Sequence, residues 1–439
     1  MTVKRTVLTF ERNGNQTMLK LDVAPGVIAG LGDNLAIDLS TLGDGTLQQR
    51  GETLLALLRS NQAVSDGLAA ALALPLGSEP SPLYFHVRAS NADVVAWEQI
   101  FAPPHGFCAL DRRWPIGRIA NRSEQLAPRA FTPPLRMVAV LSAAGRDAMP
   151  QLKVLLETRA SGAIPISLHV ISGDAGVLTA AADSGATAEP IASTAPAVAR
   201  QITAAKPQLL HVLCHGGGTP AGVRVLAFGS PADFDAISPG PEDIGSVRMP
   251  VNDLVGALLP CNPWLVVLAS CESAQAATEV HEGPAAAHEM VNAGIPAVIG
   301  MRRLVDLTDT DRFCGALYPE IVDVIAQTVG LPSLPGQPGV QVIDWAQALT
   351  APRVAMAGAD PLQFDAWTDP VLYAQEDSLQ VFLPTPALSS NQFALTRGRL
   401  DQFKGVLASL DPATASPAMI QELTTLISQL ESELAGAGA

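Results

Sequence analysis

The sequence predicts an α/β protein built on a mainly parallel β-sheet with helices on both faces. Three observations lead there. Between Arg136 and Leu383, short apolar runs rich in Val, Leu and Ile alternate with amphipathic stretches of helical period, the pattern that produces parallel strands joined by helical crossovers. Two runs, Leu209–Leu213 and Trp264–Ala269, are almost wholly apolar, as expected of strands buried on both faces. Each ends in a small, reactive turn: Cys214-His215-Gly216-Gly217-Gly218 after the first, Ser270-Cys271-Glu272-Ser273 after the second. Strand ends in open α/β sheets are where ligands and reactive groups sit. The two strands are therefore expected to be neighbours, with His215 beside Cys271.

Taken in order, residues 1–130 read as a smaller mixed α/β region. Thr46 and Gln49 have the spacing of a capping box, and Leu47, Leu54, Leu55 and Leu58 then share one helical face. Pro82–Arg88 reads as a strand, Asp93–Ile100 as a short helix and Gly106–Leu110 as another strand. Ser123–Pro134, ending in Pro133-Pro134, has the composition of a linker. Beyond it, Met137–Leu141 is expected as a strand and Asp147–Ala160 as a helix with Met149, Leu152, Leu155 and Leu156 on one face. A strand at Ile164–Ile171, a helix at Thr194–Ala205 and strands at Leu209–Cys214 and Val223–Phe228 come next.

Gly229–Pro250, rich in Pro and Gly, reads as a long loop, and loops of that length are either functional or disordered. Val251–Leu259 is a predicted helix. After the Trp264 strand come a helix at Pro284–Ala293 closed by Gly294, a strand at Pro296–Gly300 and a long helix from Thr308 to Val329 with acidic residues in its first turn. Leu331–Gly339 reads as a second loop, Val340–Met356 as a helix, and Asp369–Tyr373 and Leu379–Leu383 as closing strands. At the end, Leu400, Phe403, Leu407 and Leu410, then Ile420, Leu423, Ile427, Leu430 and Leu434, recur at helical spacing around Asp411-Pro412. That is an αα-hairpin whose second helix opens at Ser416-Pro417. The expected organisation is residues 1–130, a main domain at 135–385 and a helical hairpin at 390–439.

Composition narrows the function. The 439 residues are 48% hydrophobic and 16% charged, a globular balance. The net charge of −15 makes nucleic acid a poor partner, because phosphate binding requires clustered Lys and Arg. Five scattered cysteines without a CxxC pair suit a reducing cytoplasm better than a disulfide framework. Met1–Thr6 leads into a charged segment with no apolar core of a signal peptide. The longest uncharged apolar stretch, Leu68–Gly77, is too short to span a bilayer. His281 and His288 flank a helix without a ligand cluster, so they are read as surface residues and not as metal ligands. Gly30-Leu31-Gly32 lacks the third glycine of a dinucleotide fingerprint. No cofactor is expected.

The remaining chemistry is that of a thiol. A cysteine attacks as its thiolate, which a nearby imidazole generates or stabilises, and the resulting oxyanion needs preorganised N–H donors. His215 and Cys271 fit the first two roles; the amides of Gly216 and of Cys271 itself fit the third. Histidine precedes cysteine by 56 positions, 215 to 271, the caspase order, in which about 50 residues intervene. Papain-like enzymes have the reverse order. His-Gly-Gly-Gly also serves esterases as an oxyanion motif, but that requires a G-x-S-x-G elbow, which the chain lacks.

Read together, His211–Gly216, Leu268–Ala274, Asn292–Gly300, Phe313–Tyr318, Ala346–Ala355 and Trp367–Tyr373 resemble the CHAT family of caspase-like cysteine proteases. Pro82–Val87, Trp97-Glu98 and Pro115–Arg118 resemble the amino-terminal regions that precede such domains. The cysteine context Ala-Ser-Cys-Glu-Ser departs from the true caspase pattern, and the helical repeats of many members are missing. The resemblance implies a caspase-type sheet, a His215–Cys271 dyad and an oxyanion donor at Gly216. It implies limited proteolysis of a protein partner, in bacterial defence or programmed cell death, with a gasdermin-like pore-former as one substrate class and a regulatory partner besides. The strand from Pro296 and the turn Met301–Asp306 would form a wall of the substrate cleft, with Arg302 on it and Asp306 or Glu272 supplying acidity. The competing expectation is a non-catalytic scaffold that signals through protein–protein contacts.

Overall fold

The computed structural model describes residues 5–25, 34–42, 45–120, 126–218, 223–236, 245–270, 285–303, 306–330, 339–383, 390–410 and 415–437. The amino-terminal part supplies β1 (Thr6–Asn13), β2 (Gln16–Val23), β3 (Leu35–Ile37), α1 (Leu47–Arg59), α2 (Gln62–Leu72), β4 (Leu83–Val87), α3 (Ser90–Asp93), β5 (Phe101–Ala102), β6 (Gly106–Phe107), β7 (Ile116–Ile119) and β8 (Arg129–Ala130). Then come β9 (Leu135–Leu141), α4 (Met149–Ala160), β10 (Ile166–Ser172), α5 (Ala175–Asp183), β11 (Thr187–Pro190), α6 (Ala195–Ala205), β12 (Leu209–Leu213), β13 (His215–Gly218), β14 (Arg224–Phe228), α7 (Pro231–Asp235), β15 (Val247–Pro250), α8 (Val251–Leu258) and β16 (Leu265–Leu268). The last are α9 (Ala286–Asn292), β17 (Ala297–Met301), α10 (Leu307–Val329), β18 (Gly339–Ile343), α11 (Thr350–Ala357), β19 (Pro370–Ala374), β20 (Leu379–Leu383), α12 (Ser390–Ser409) and α13 (Pro417–Ala437).

Two compact units result. The larger comprises residues 1–127, 133–326 and 342–379, the smaller 128–132, 327–341 and 380–439. Among the described residues the larger unit holds a twelve-stranded sheet in the order β11-β10-β9-β12-β16-β17-β19-β7-β4-β1-β2-β3, with β13-β14-β15 and β5-β6 as smaller sheets. From β11 to β17 all neighbours are parallel. The direction reverses where β17 pairs antiparallel with β19; β19, β7, β4 and β1 are again parallel. In the smaller unit β18, β20 and β8 form a separate sheet, and α12 packs on α13 with Leu400 and Ile427 buried.

The order fixes the layers. The chain steps from β9 through β10 to β11 in one direction, then returns past β9 to β12, β16 and β17 in the other. Right-handed crossovers that travel in opposite directions lie on opposite faces. Accordingly α4 packs with α5, while α6, α8 and α9 pack in a row of their own. Sequence and structure agree at the capping box, where the Thr46 hydroxyl accepts from the Gln49 amide and the Gln49 side chain accepts from the Thr46 amide.

Several expectations are corrected. Gly229–Pro250 is not a bare loop: Ser230 caps α7, with Asp233 completing the box, and β15 pairs with β14. Val340–Met356 is not one helix. Its first residues alternate Val-Gln-Val-Ile and form β18, and Asp344 then caps a 3₁₀ turn, Trp345–Leu349, ahead of α11. Asp93–Ile100 divides into the end of α3 and a 3₁₀ turn at Trp97–Gln99. On α4 the buried face is Gln151, Leu152, Leu155 and Thr158, and Met149 is exposed.

Candidate active site

The reversal of strand order between β9 and β12 is a topological switch point, and the crevice beyond the carboxyl ends of such strands is where open α/β sheets bind ligands. His215 stands there. Cys214 leaves β12 buried, and β13 begins at His215, pairing antiparallel with β14 (His215 opposite Ala227, Gly217 opposite Val225). By composition this segment reads as a turn; in the structure it is a short glycine strand. Among the described residues its other edge carries no strand. Among the described residues a Cβ built on Gly217 meets nothing within 4 Å, and its φ is not in the left-handed region.

The His215 ring is half-buried and its Nε2 lies 2.8 Å from the Ala144 carbonyl oxygen. A carbonyl only accepts, so Nε2 carries the proton, and in the neutral ring Nδ1 keeps the lone pair. The imidazole is thereby oriented with Nδ1 as its basic nitrogen. Ala144 is fixed in turn. The Ser142 amide donates to Leu213 O (2.9 Å), its hydroxyl donates to Gly229 O (2.5 Å) and accepts from the Gly173 amide (2.9 Å), and the Gly229 amide donates to Ser142 O (2.7 Å). The loops after β9, β10 and β14 thus close on one another behind the histidine.

His211 is excluded as the base. It is fully buried, donates from Nε2 to Gln151 Oε1 at 2.8 Å and packs edge-on against Tyr318. Burial pushes its pKa down to about 3, leaving it neutral. Cys108, Cys261 and Cys314 are buried free thiols, and Cys214 is buried as well. Burial raises the Cys108 pKa to about 12 and lifts those of Cys261 and Cys314 as well, which removes the thiolate needed for attack.

Cys271 and Glu272 lie outside the described residues. The chain leading to them is described: β12 and β16 are neighbours, as expected, with Leu209 opposite Leu265 and Val212 opposite Leu268, and the Ala269 amide donates to Val212 O. Ser270 is 2% exposed, and its buried hydroxyl has no partner among the described residues. Arg302 directly succeeds β17. Its amide donates to Asp369 O (2.9 Å) and its Nη2 to Thr368 Oγ1 (2.8 Å). Asp306 caps the start of α10 through the Thr308 amide (2.8 Å), which holds its carboxyl below the ordinary range. β17 is hydrogen-bonded on both sides, to β16 and β19. The β16 pairing covers Val298 and Ile299, which therefore offer an extended peptide no free edge.

A buried polar cluster lies beyond what the sequence pattern predicts. Arg118, on β7, is fully buried; Nη2 donates to Glu98 Oε2 (3.0 Å), and Nη1 donates to Asp93 Oδ1 (3.2 Å) and to the Asp93 carbonyl. Asp93 also accepts from His288 Nδ1 (2.9 Å) and from the Tyr373 hydroxyl (2.7 Å). His288 is therefore not a surface residue: it is 8% exposed and stacked on Tyr373. Burial acts to raise Asp93, but His288, Arg118 and Tyr373 outweigh it and hold its pKa below the usual value. A lone Arg inside the apolar run Pro115–Ile119 is the sequence signal for this cluster.

A largely parallel sheet with crossovers on both faces and a histidine at its switch point defines an α/β protein. The CHAT domain family matches residues 56–328, more than half of the chain, and the chain belongs to that family. No curated protein matches it. Among solved structures it is similar to a chain of the Saccharomyces cerevisiae separase–securin complex, at 12% identity and a TM-score of 0.35, over 75% of this chain and 18% of that one. It is also similar to a structure described as that of a protease, at 11% identity and a TM-score of 0.40, over 77% of this chain and 70% of that one. The chain thus spans less than a fifth of the separase-complex chain. Among the described residues no helix is long and apolar enough to cross a membrane.

Proposed function

We propose that the chain is a cysteine endopeptidase in which His215 is the base and later the acid, Cys271 the nucleophile, and the amides of Gly216 and Cys271 the oxyanion donors. The observation that carries this reading is His215 at the switch point with Nε2 committed to Ala144 O, which leaves Nδ1 to take a proton. The register of β12 and β16 adds support: paired residues differ by 56 positions (Leu209 with Leu265), as do His215 and Cys271. In the reaction, the Cys271 thiol gives its proton to Nδ1 and its sulfur bonds to the scissile carbonyl carbon. The C–N bond then breaks as the imidazolium returns the proton to the departing amine. Water, deprotonated by the same ring, hydrolyses the thioester and regenerates the thiol. Each proton is accounted for by Cys271, His215, water and the substrate.

The setting proposed with it is limited cleavage of a cytoplasmic protein partner, in bacterial defence or programmed cell death, a gasdermin-like pore-former being one substrate class. The test is cleavage of a co-expressed natural partner, with the new termini sequenced. Cys271→Ala and His215→Ala should each abolish it while keeping a cooperative thermal transition. Cleavage that persists in Cys271→Ala would leave the non-catalytic scaffold as the surviving reading.

A further inference from the structure

Arg302 and Arg303 open onto a cavity of about 640 Å³ whose other walls include Arg50 and Gln49 of α1, Asn91 of α3 and Gln99. The volume falls in the range of small-ligand sites, roughly 300–1,000 Å³. Its charges do not balance. Arg303 engages both nearby acids: Nε and Nη2 grip the two oxygens of Asp369 (2.6 and 3.0 Å), and Nη1 donates to Asp365 (2.9 Å). Arg302 is left with Thr368 Oγ1, an Asp369 oxygen 3.7 Å away and the charge of Glu98, whose two oxygens Arg118 already binds, and its buried Nε has no hydrogen-bond partner among the described residues. Arg50 comes no nearer to a described acid than 3.9 Å, at Asp365, and its buried Nε is likewise without a partner there. Two guanidinium groups on one cavity therefore share carboxylates that Arg303 and Arg118 have already bound. A buried, incompletely paired cation is costly, and a carboxylate complements the guanidinium fork in a bidentate geometry.

The cavity sits at the carboxyl end of β17, and β12, ending just before His215, has its carboxyl end on the same edge of the sheet, two strand positions away. At about 4.8 Å per strand that is roughly 10 Å. An extended chain advances about 3.3 Å per residue, so the interval is about three residues. We propose that this cavity is a subsite for the acidic side chain, Asp or Glu, of a polypeptide substrate, about three residues from the bond cleaved at His215. The assignment rests on the endopeptidase reading above. It also reverses the charge expected from sequence, where Asp306 or Glu272 was to make the cleft acidic: the described wall is basic, and Asp306 is occupied in capping α10.

Binding and cleavage test it separately. The probes are N-acetyl-glutamate N-methylamide, its glutamine counterpart and inorganic phosphate, titrated calorimetrically into the full chain carrying Cys271→Ala. The glutamate probe should bind at least tenfold more tightly than the glutamine probe and than phosphate. Arg302→Met and, independently, Arg50→Met should remove that preference. Arg50 is partly exposed, so its variant reports even where Arg302→Met does not fold. Equal binding of the two amino-acid probes overturns the proposal, as does a preference that survives both variants. Phosphate binding as tight as the glutamate probe assigns the cavity to a free anion and also overturns it. In the second arm, wild-type protein acts on a proteome-derived peptide library. Acidic residues should be enriched about three positions from the cut, and Arg302→Met should lower that enrichment at least tenfold. A specific glutamate response in a protein that cuts no peptide would uphold the basic pocket and refute the endopeptidase reading, so the two failures are distinct.

Discussion

Gly229→Ala probes the Ala144 anchor without touching His215. Gly229 lies just past β14 and is tied to Ser142 through both its amide and its carbonyl. A Cβ at this position would lie 2.7 Å from the Ala144 Cβ, 3.1 Å from its amide nitrogen and 2.8 Å from Phe234 Cε2. Ordinary carbon–carbon contact is about 3.5–4.0 Å, so the Ala144 loop must retreat by roughly 1 Å. The Ala144 carbonyl is 2.8 Å from His215 Nε2; moved that far it no longer makes a proper hydrogen bond, and the imidazole loses its orientation. Overpacking of this kind costs about 1–3 kcal/mol, and a misplacement of about 1 Å costs a reaction about 10²-fold. The assay is kcat/KM on the natural substrate beside scanning calorimetry. Gly217→Ala is the control, since its Cβ projects into open space among the described residues; it should unfold with the wild-type transition. The expected result is a melting point lowered by a few degrees together with a loss of about two orders of magnitude in kcat/KM for Gly229→Ala. A variant with the lowered melting point but wild-type kcat/KM would show that the anchor does not serve catalysis.

Two further outcomes can be checked directly. Brief iodoacetamide treatment at neutral pH should label Cys271 first and stop cleavage. Cys108, Cys261 and Cys314, buried with raised pKa values, should react only on unfolding, and mass spectrometry showing early label on any of them contradicts the assignment. The buried carboxylates of Asp93 and Glu98 should make stability acid-sensitive. Both have folded pKa values below their unfolded ones, Glu98 because the charges of Arg118 and Arg353 outweigh its burial. Their contribution is therefore full above the unfolded carboxylate pKa, about 4, and is lost as pH falls through the lower folded value. Asp93→Asn should cost about 3–5 kcal/mol at pH 7, because Arg118 and His288 lose a buried anion. It should also flatten the fall in urea midpoint between about pH 5 and pH 2; a midpoint unchanged by the substitution at pH 7 would mean that the cluster contributes nothing.

The pattern of the sequence reveals the parallel half of the sheet because β9, β12, β16 and β17 are buried on both faces, and such strands read as continuous apolar runs. His215 is legible for the same reason, as the first polar side chain after such a run. What holds it is not. The Ala144 contact is made by a backbone carbonyl, which any residue supplies, so no side chain advertises it. Gly229 and Gly173 have the look of loop glycines, whereas their role is steric: a Cβ on Gly173 would lie 2.5 Å from the Gly229 carbonyl oxygen. β13 is hidden because three glycines carry turn composition but no strand propensity. β18 is obscured because it runs into the apolar stretch of α11 with no Gly or Pro between them. The alternation of Val340–Ile343 and the cap at Asp344 are the only local marks of the boundary.

The antiparallel junction of β17 with β19 explains how the amino-terminal strands bear on the site. β7, β4 and β1 continue the sheet from β19, so residues that precede β9 in the chain extend the same sheet as β12 and β16. The Asp93 cluster sits at this junction. It joins the segment after β4, through Arg118 of β7 and Tyr373 of β19, to His288 of α9. α9 is the first described helix after Cys271, and the residue that pins it comes from α3. A chain beginning at β9 would leave the β19 edge unpaired, a liability in any sheet, and would strip His288 and Tyr373 of their shared carboxylate in a buried place. The amino-terminal strands therefore belong to the same cooperative core as His215. They also supply Arg50, Asn91 and Gln99 to the cavity that Arg302 faces, so the part of the chain that completes the fold also builds the wall on which selectivity is proposed to depend.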